Sequence, residues 1–169
     1  MKPEALPDHV AEHYLSLSVD ELYTDVIRHY RENVWPDIKA IVTSHATDLS
    51  ADRLVMEGSA ILPELIVTLD FDNVAAVWLV ADNELFEQRI YRASQYETKS
   101  PREKTMVDKF LGRTRLYNRR MMDAINRLGQ LSMVVDDAST LDELTGRCQA
   151  LLKSNNRNTL TLENHDGLD

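Results

Sequence analysis

Cysteine is almost missing from this 169-residue chain, and Cys148 stands alone. A lone thiol excludes a disulfide framework and fits a reducing cytoplasm. Glycine and proline are scarce, at five each. With 43% hydrophobic residues, that composition suits one soluble domain large enough for a real core. No stretch approaches the ~20 apolar residues that span a bilayer. No apolar run follows a basic start, so neither a membrane span nor a signal peptide is expected. Positive charge is also in deficit. A net charge of -9 argues against nucleic acid as a partner.

What basic charge there is collects in one place. From Glu84 to Arg127 there are eleven Lys and Arg against six Asp and Glu, leaving the rest of the chain strongly acidic. A basic segment in an acidic protein suits a local anionic ligand or a solvated helix surface.

Three helix starts carry S/T-x-x-E capping boxes: Ser18 with Glu21, Ser100 with Glu103, and Thr140 with Glu143. Pro101 stands where a first helical residue belongs. One helix is predicted from Ser18 towards His45, with Leu22, Val26, Tyr30 and Val34 on one face and a kink or break at Trp35–Pro36. A shorter helix is expected from Pro7 to Tyr14. Three apolar runs read as strands: Arg53–Met56, Val74–Val80 and Ser132–Val135. Helices are predicted between them, at Pro63 to Leu69, Asn83 to Ala93 and Ser100 to Leu128, with a last helix from Leu141 to Lys153. Alternating strands and helices imply a parallel sheet. The polar stretch from Ser154, ending in Asn164–Gly167, is expected to be disordered.

Met56–Ser59 follows the first expected strand, at the edge where α/β sheets bind ligands. Glu57 can orient a metal-bound water or a substrate hydroxyl, and Gly58 permits a sharp turn. It reads equally as an ordinary strand-to-helix turn. Lys109, Arg113 and Arg120 fall on one helical face, and Arg89 and Arg92 share a face of the preceding helix. Two such helices, joined by the polar Ser94–Ser100 loop, would form a hinged basic flap suited to phosphate oxygens. The alternative is a pair of salt-bridged surface helices.

The run Leu54-Val55-Met56-Glu57-Gly58-Ser59-Ala60-Ile61-Leu62-Pro63-Glu64-Leu65 resembles the second nucleotide-site motif of small P-loop kinases, in the bacterial 2-phosphoglycerate kinase-like or AAA-family ATPase group. The likeness continues through Val77–Val80, Phe86–Ile90, Lys109–Arg113 and Leu128–Gly129, covering roughly Ser18 to Leu152. It implies a three-layer P-loop NTPase-like α/β sheet with a helical lid. It further implies ATP-dependent transfer of a phosphoryl group to a small hydroxyl substrate, with Mg-ATP as cofactor. Glu57 would then be the catalytic, metal- or water-contacting residue, with Glu57 and Gly58 at the cofactor. Arg89, Arg92, Lys109, Arg113 and Arg120 would reach the phosphates from the lid.

The chain departs from that pattern at one point. Its glycines are Gly58, Gly112, Gly129, Gly146 and Gly167; none is followed by Lys, and none precedes Glu57. The G-x-x-x-x-G-K-[ST] phosphate cradle is absent. The sheet is therefore expected to be incomplete, lacking its first strand, and its open edges favour a homo-oligomer. The expectation is an N-terminally truncated kinase-like domain over 1–153, impaired as an enzyme, followed by the tail 154–169. Its partners would be a nucleotide and a small phosphate acceptor, with no nucleic acid and no membrane. The main alternative is a non-catalytic module binding a phospholigand or a protein.

His9-Val10-Ala11-Glu12-His13 also matches H-x-x-E-H, an inverted zinc-peptidase signature. A zinc hydrolase would use His9 and His13 as ligands and Glu12 as base, with Glu21 or His45 as a third ligand. The alternative is a surface helix with two histidines. His29 and His45 read as surface or cap residues.

Overall fold

A computed structural model describes residues 7–48 and 50–162, with backbone alone from 154 onward. All three capping boxes form. In each, the Ser or Thr side chain accepts from the Glu backbone N–H, and the Glu carboxylate accepts from the cap backbone N–H. They open α2 (Val19–His29), α6 (Pro101–Arg127) and α7 (Leu141–Leu162). α1 (Asp8–Ser16) precedes them. The backbone of α7 runs on past Lys153, where the sequence reading ends the ordered chain. Residues 163–169, with the expected Asn164–Gly167 tail end, lie outside the described residues.

The box at Ser100 makes the first testable statement. The Glu103 carboxyl is pulled from its ordinary value of 4.5 to about 2 by the Ser100 hydroxyl, the Ser100 backbone N–H and the Lys99 ammonium. A depressed carboxyl stabilises the fold fully above its unfolded value, and that contribution disappears as pH falls through the folded one. The expected result is a Glu103 NMR titration midpoint near 2. In Ser100→Ala the midpoint should move back up towards 4.5.

Trp35–Pro36 does not break its helix. α2 passes through a π-helical turn at Tyr30–Val34 into α3 (Trp35–Thr47). Pro36 has no N–H to donate four residues back, and its ring crowds that carbonyl. A wider turn absorbs both effects, with the Trp35 N–H donating to the Tyr30 carbonyl.

The three-layer P-loop sheet expected from the sequence is not there. The described chain is 66% helix and 4% strand. β1 (Trp78–Val80) and β2 (Ser132–Val134) pair in parallel, Leu79 opposite Met133, as the only sheet among the described residues. Val74–Val77 stays outside β1. Arg53–Met56 forms no strand: residues 52–57 make no backbone hydrogen bond to another described residue, and Val55 is 91% exposed. An apolar run becomes a strand only where a neighbour satisfies its backbone groups, and none of the described residues does so here.

The organising element is α6 instead, about 40 Å long at 1.5 Å per residue. α1, α2, the short α4 (Pro63–Ile66), α5 (Asn83–Ser94) and β1 all rest on it. Its inward residues Leu111, Leu116, Ala124 and Ile125 are buried. Gly112 lets α2 approach closely, because a Cβ there would stand 3.0 Å from a Val19 methyl. Asn118, the one buried polar residue among those described, donates to the Ala81 carbonyl and ties α6 to the end of β1. Trp78 and Val80 pack on Ile125, with Ile66, Ala76 and Met121 around them.

The α5–α6 corner, expected to hinge, is tied. The Tyr91 and Tyr96 rings stack at 4.2 Å, and both hydroxyls donate to the Asp108 carboxylate. Lys104 lies over the Tyr96 ring. That carboxylate also pushes the Tyr96 hydroxyl up to about 12.

Candidate functional site

The basic face of α6 is real, and it divides among three tasks. The Lys109 ammonium donates to the carbonyls of Leu15 at 2.8 Å and Leu17 at 2.7 Å, capping the C-terminal end of α1. The Arg113 guanidinium lies over the rings of Phe110 and Tyr14. Arg120, seven residues further along the same face, lines a cleft between α2, α4 and α6. On α5, Arg89 pairs with Asp137 at 2.8 Å, which joins α5 to the loop after β2. Glu87 pairs with Arg115 at 2.5 Å. Arg92 is exposed.

Glu57 is exposed too, and the turn that follows it is held firmly. Gly58 has φ +154°, a conformation L side chains rarely adopt, as its expected turning role requires. The Tyr117 hydroxyl of α6 donates to the Ser59 carbonyl at 2.5 Å. The Tyr30 hydroxyl, from the π-turn, stands 2.8 Å from Ser59 Oγ. Two tyrosines from two helices thus seat the Gly58–Ser59 turn above the cleft that Arg120 lines.

That cleft encloses about 30 Å³, room for one or two waters or the oxygens of an anion whose body stays outside. Ile27, Leu62, Pro63 and Met121 give it apolar walls. Its polar groups are Tyr23, Arg31, Glu64, Tyr117 and Arg120. Burial raises the Tyr23 hydroxyl pKa and Glu64 adds to that, while Arg120 and Arg31 work against it. Both guanidinium groups therefore act on the same phenol. Burial also drives the Tyr117 pKa well up, helped by Tyr30, Tyr23 and Glu64, so this hydroxyl remains a proton donor throughout the neutral range. Glu64 is engaged at 3.4 Å by Arg127. Among the described residues, Arg31 and Arg120 have no carboxylate partner.

Of the residues expected from sequence, the structure brings Gly58 and Arg120 to this place. Arg89, Lys109 and Arg113 are held elsewhere. Sequence reasoning missed Arg31, Tyr23, Tyr117 and Glu64. The only local signal for Arg31 is its position just before Trp35–Pro36, within the turn that the proline widens.

For the H-x-x-E-H segment, His13 Nε2 lies 3.4 Å from Asp25 of α2, while His9 and Glu12 are exposed. Among the described residues, no group of three or more His, Cys, Asp or Glu can hold a metal ion. No described helix is long and apolar enough to cross a membrane. No family model, curated protein or solved structure matches the chain.

Proposed function

We propose that this chain is a binding module for a small phosphorylated ligand, working in the cytoplasm and without turnover. One observation carries the reading: Arg31 and Arg120, with no carboxylate partner among the described residues, flank a cleft lined by tyrosine hydroxyls. Guanidinium forks suit phosphate oxygens, and the Tyr23 hydroxyl, whose pKa burial raises, keeps a proton to donate, while that of Tyr117 is given to the Ser59 carbonyl. The half-buried walls lower the local dielectric and strengthen those contacts. Glu64, the only acid among the described residues lining the cleft, has its charge offset by Arg127.

Binding is favoured over phosphoryl transfer by the fate of the other cations. Transfer needs several cations and a positioned carboxylate around one phosphoryl group. Here Lys109 caps α1, Arg89 is paired with Asp137, and Glu57 points into solvent.

The test is calorimetric titration with 2-phosphoglycerate, using glycerate as the control without the phosphate. The phosphorylated compound should bind and glycerate should not. Arg31→Ala and Arg120→Ala should each weaken binding roughly 10- to 100-fold, the worth of one charge-assisted hydrogen bond. Unchanged affinity in both variants would remove the site. Release of ADP from Mg-ATP in the presence of 2-phosphoglycerate would replace binding with catalysis.

A further inference from the structure

A second feature, independent of the cleft, is the segment that fails to become a strand. Residues 52–57 run between a bend at Ala51 and a turn at Ser59 with neither bend nor turn, and none of their backbone groups is hydrogen-bonded to another described residue. The pattern along them is that of a strand lying on the surface. Met56 is half-buried and Leu54 is 42% exposed, while Arg53, Val55 and Glu57 are exposed, Val55 to 91%. All but Met56 are exposed, and Val55 stands out far more than its neighbours Leu54 and Met56.

Arg53 and Glu57 have no ion-pair partner among the described residues. Extended chain separates them by about 13 Å, too far to pair with each other. They stand symmetrically about Val55. When this segment meets a second copy of itself antiparallel, with Val55 opposite Val55, each Arg53 falls opposite the other copy's Glu57. Val55 meets Val55 between the two ion pairs, and Leu54 meets Met56 on the other face. The segment is complementary to itself in charge and in apolar pattern, as an isologous two-fold contact requires.

We propose that Arg53–Glu57 is a self-pairing strand through which two copies of this chain form an antiparallel ribbon centred on Val55. Its partner is a second copy of the same chain. Pairing satisfies backbone groups that have no partner among the described residues, and it covers the most exposed large apolar residue described. Five residues a side fall short of the ~1,200 Å² of a stable complex, so the dimer is weak, with a Kd on the order of 100 µM.

Sedimentation of the full chain from about 10 µM to 1 mM, spanning that Kd, is the experiment. The parent should pass from monomer to dimer. Arg53→Glu sets Glu against Glu, and Glu57→Arg sets Arg against Arg. Each should weaken dimerisation roughly tenfold. An equimolar mixture of the two variants restores both ion pairs and should dimerise about as well as the parent. Both substituted positions are exposed, so circular dichroism should match the parent in each variant. A parent that stays monomeric throughout overturns the proposal. So does a dimer indifferent to the charge swaps, or one broken instead by Leu79→Lys on β1, which would assign pairing to the sheet edge.

Discussion

Trp78→Ala should destabilise the protein by about 3–5 kcal/mol, the usual cost of emptying a large aromatic site in a core. Trp78 is 5% exposed and packs with Val80 on Ile125. The sheet has only two short strands, and a ribbon of that size does not hold itself together in water. Its stability comes from the packing of β1 on α6, and Trp78 is the largest part of that contact. Against a total stability of about 5–15 kcal/mol, the loss brings the chain close to unfolding. Urea denaturation followed by circular dichroism, with Trp35 as the remaining fluorophore, gives the number. Trp78→Phe keeps most of the apolar contact and should cost clearly less. Equal losses in both variants would mean that the indole itself, and not buried volume, matters at this position.

Lys109→Met is the second large effect. The substitution keeps an apolar stem and deletes the ammonium that caps α1 through Leu15 and Leu17. Hydrogen bonds from a charged donor are worth about 1.5–3 kcal/mol each and do not simply add, so the expected loss is about 2–4 kcal/mol. For a domain of this size that lowers Tm by roughly 5–15 °C. Affinity for 2-phosphoglycerate should remain within about twofold of the parent, well under the tenfold that 1.4 kcal/mol represents. The two readouts separate a scaffold lysine from a phosphate-binding one. Lost affinity with unchanged Tm would return Lys109 to the ligand.

Both variants probe α6, the element whose start and basic face were legible in the sequence and whose partners were not. Lys109, Arg113 and Arg120 do share a face, and that face meets α1 and α2. Helical spacing predicts who stands beside whom on one helix. It does not say whether the facing element offers a carbonyl, a ring or an open cleft. Arg31 shows the converse. In the sequence it reads as one more exposed charge on the predicted Ser18–His45 helix, and only the wide turn before Pro36 and the arrival of Arg120 from α6 make the two a pair.

Local chemistry determined a good deal by itself. Capping boxes, Pro101 and helical periodicity set where the helices begin, since each acts within about four residues of chain. The sheet was decided elsewhere. Arg53–Met56 and Trp78–Val80 carry similar apolar, strand-favouring residues, yet only the second is a strand. Trp78–Val80 has β2 to receive its backbone hydrogen bonds and α6 to cover Trp78 and Val80. Arg53–Met56 has neither among the described residues. A helix satisfies its backbone internally and can be read locally, whereas a strand needs a neighbour that only the tertiary structure, or a second copy of the chain, supplies.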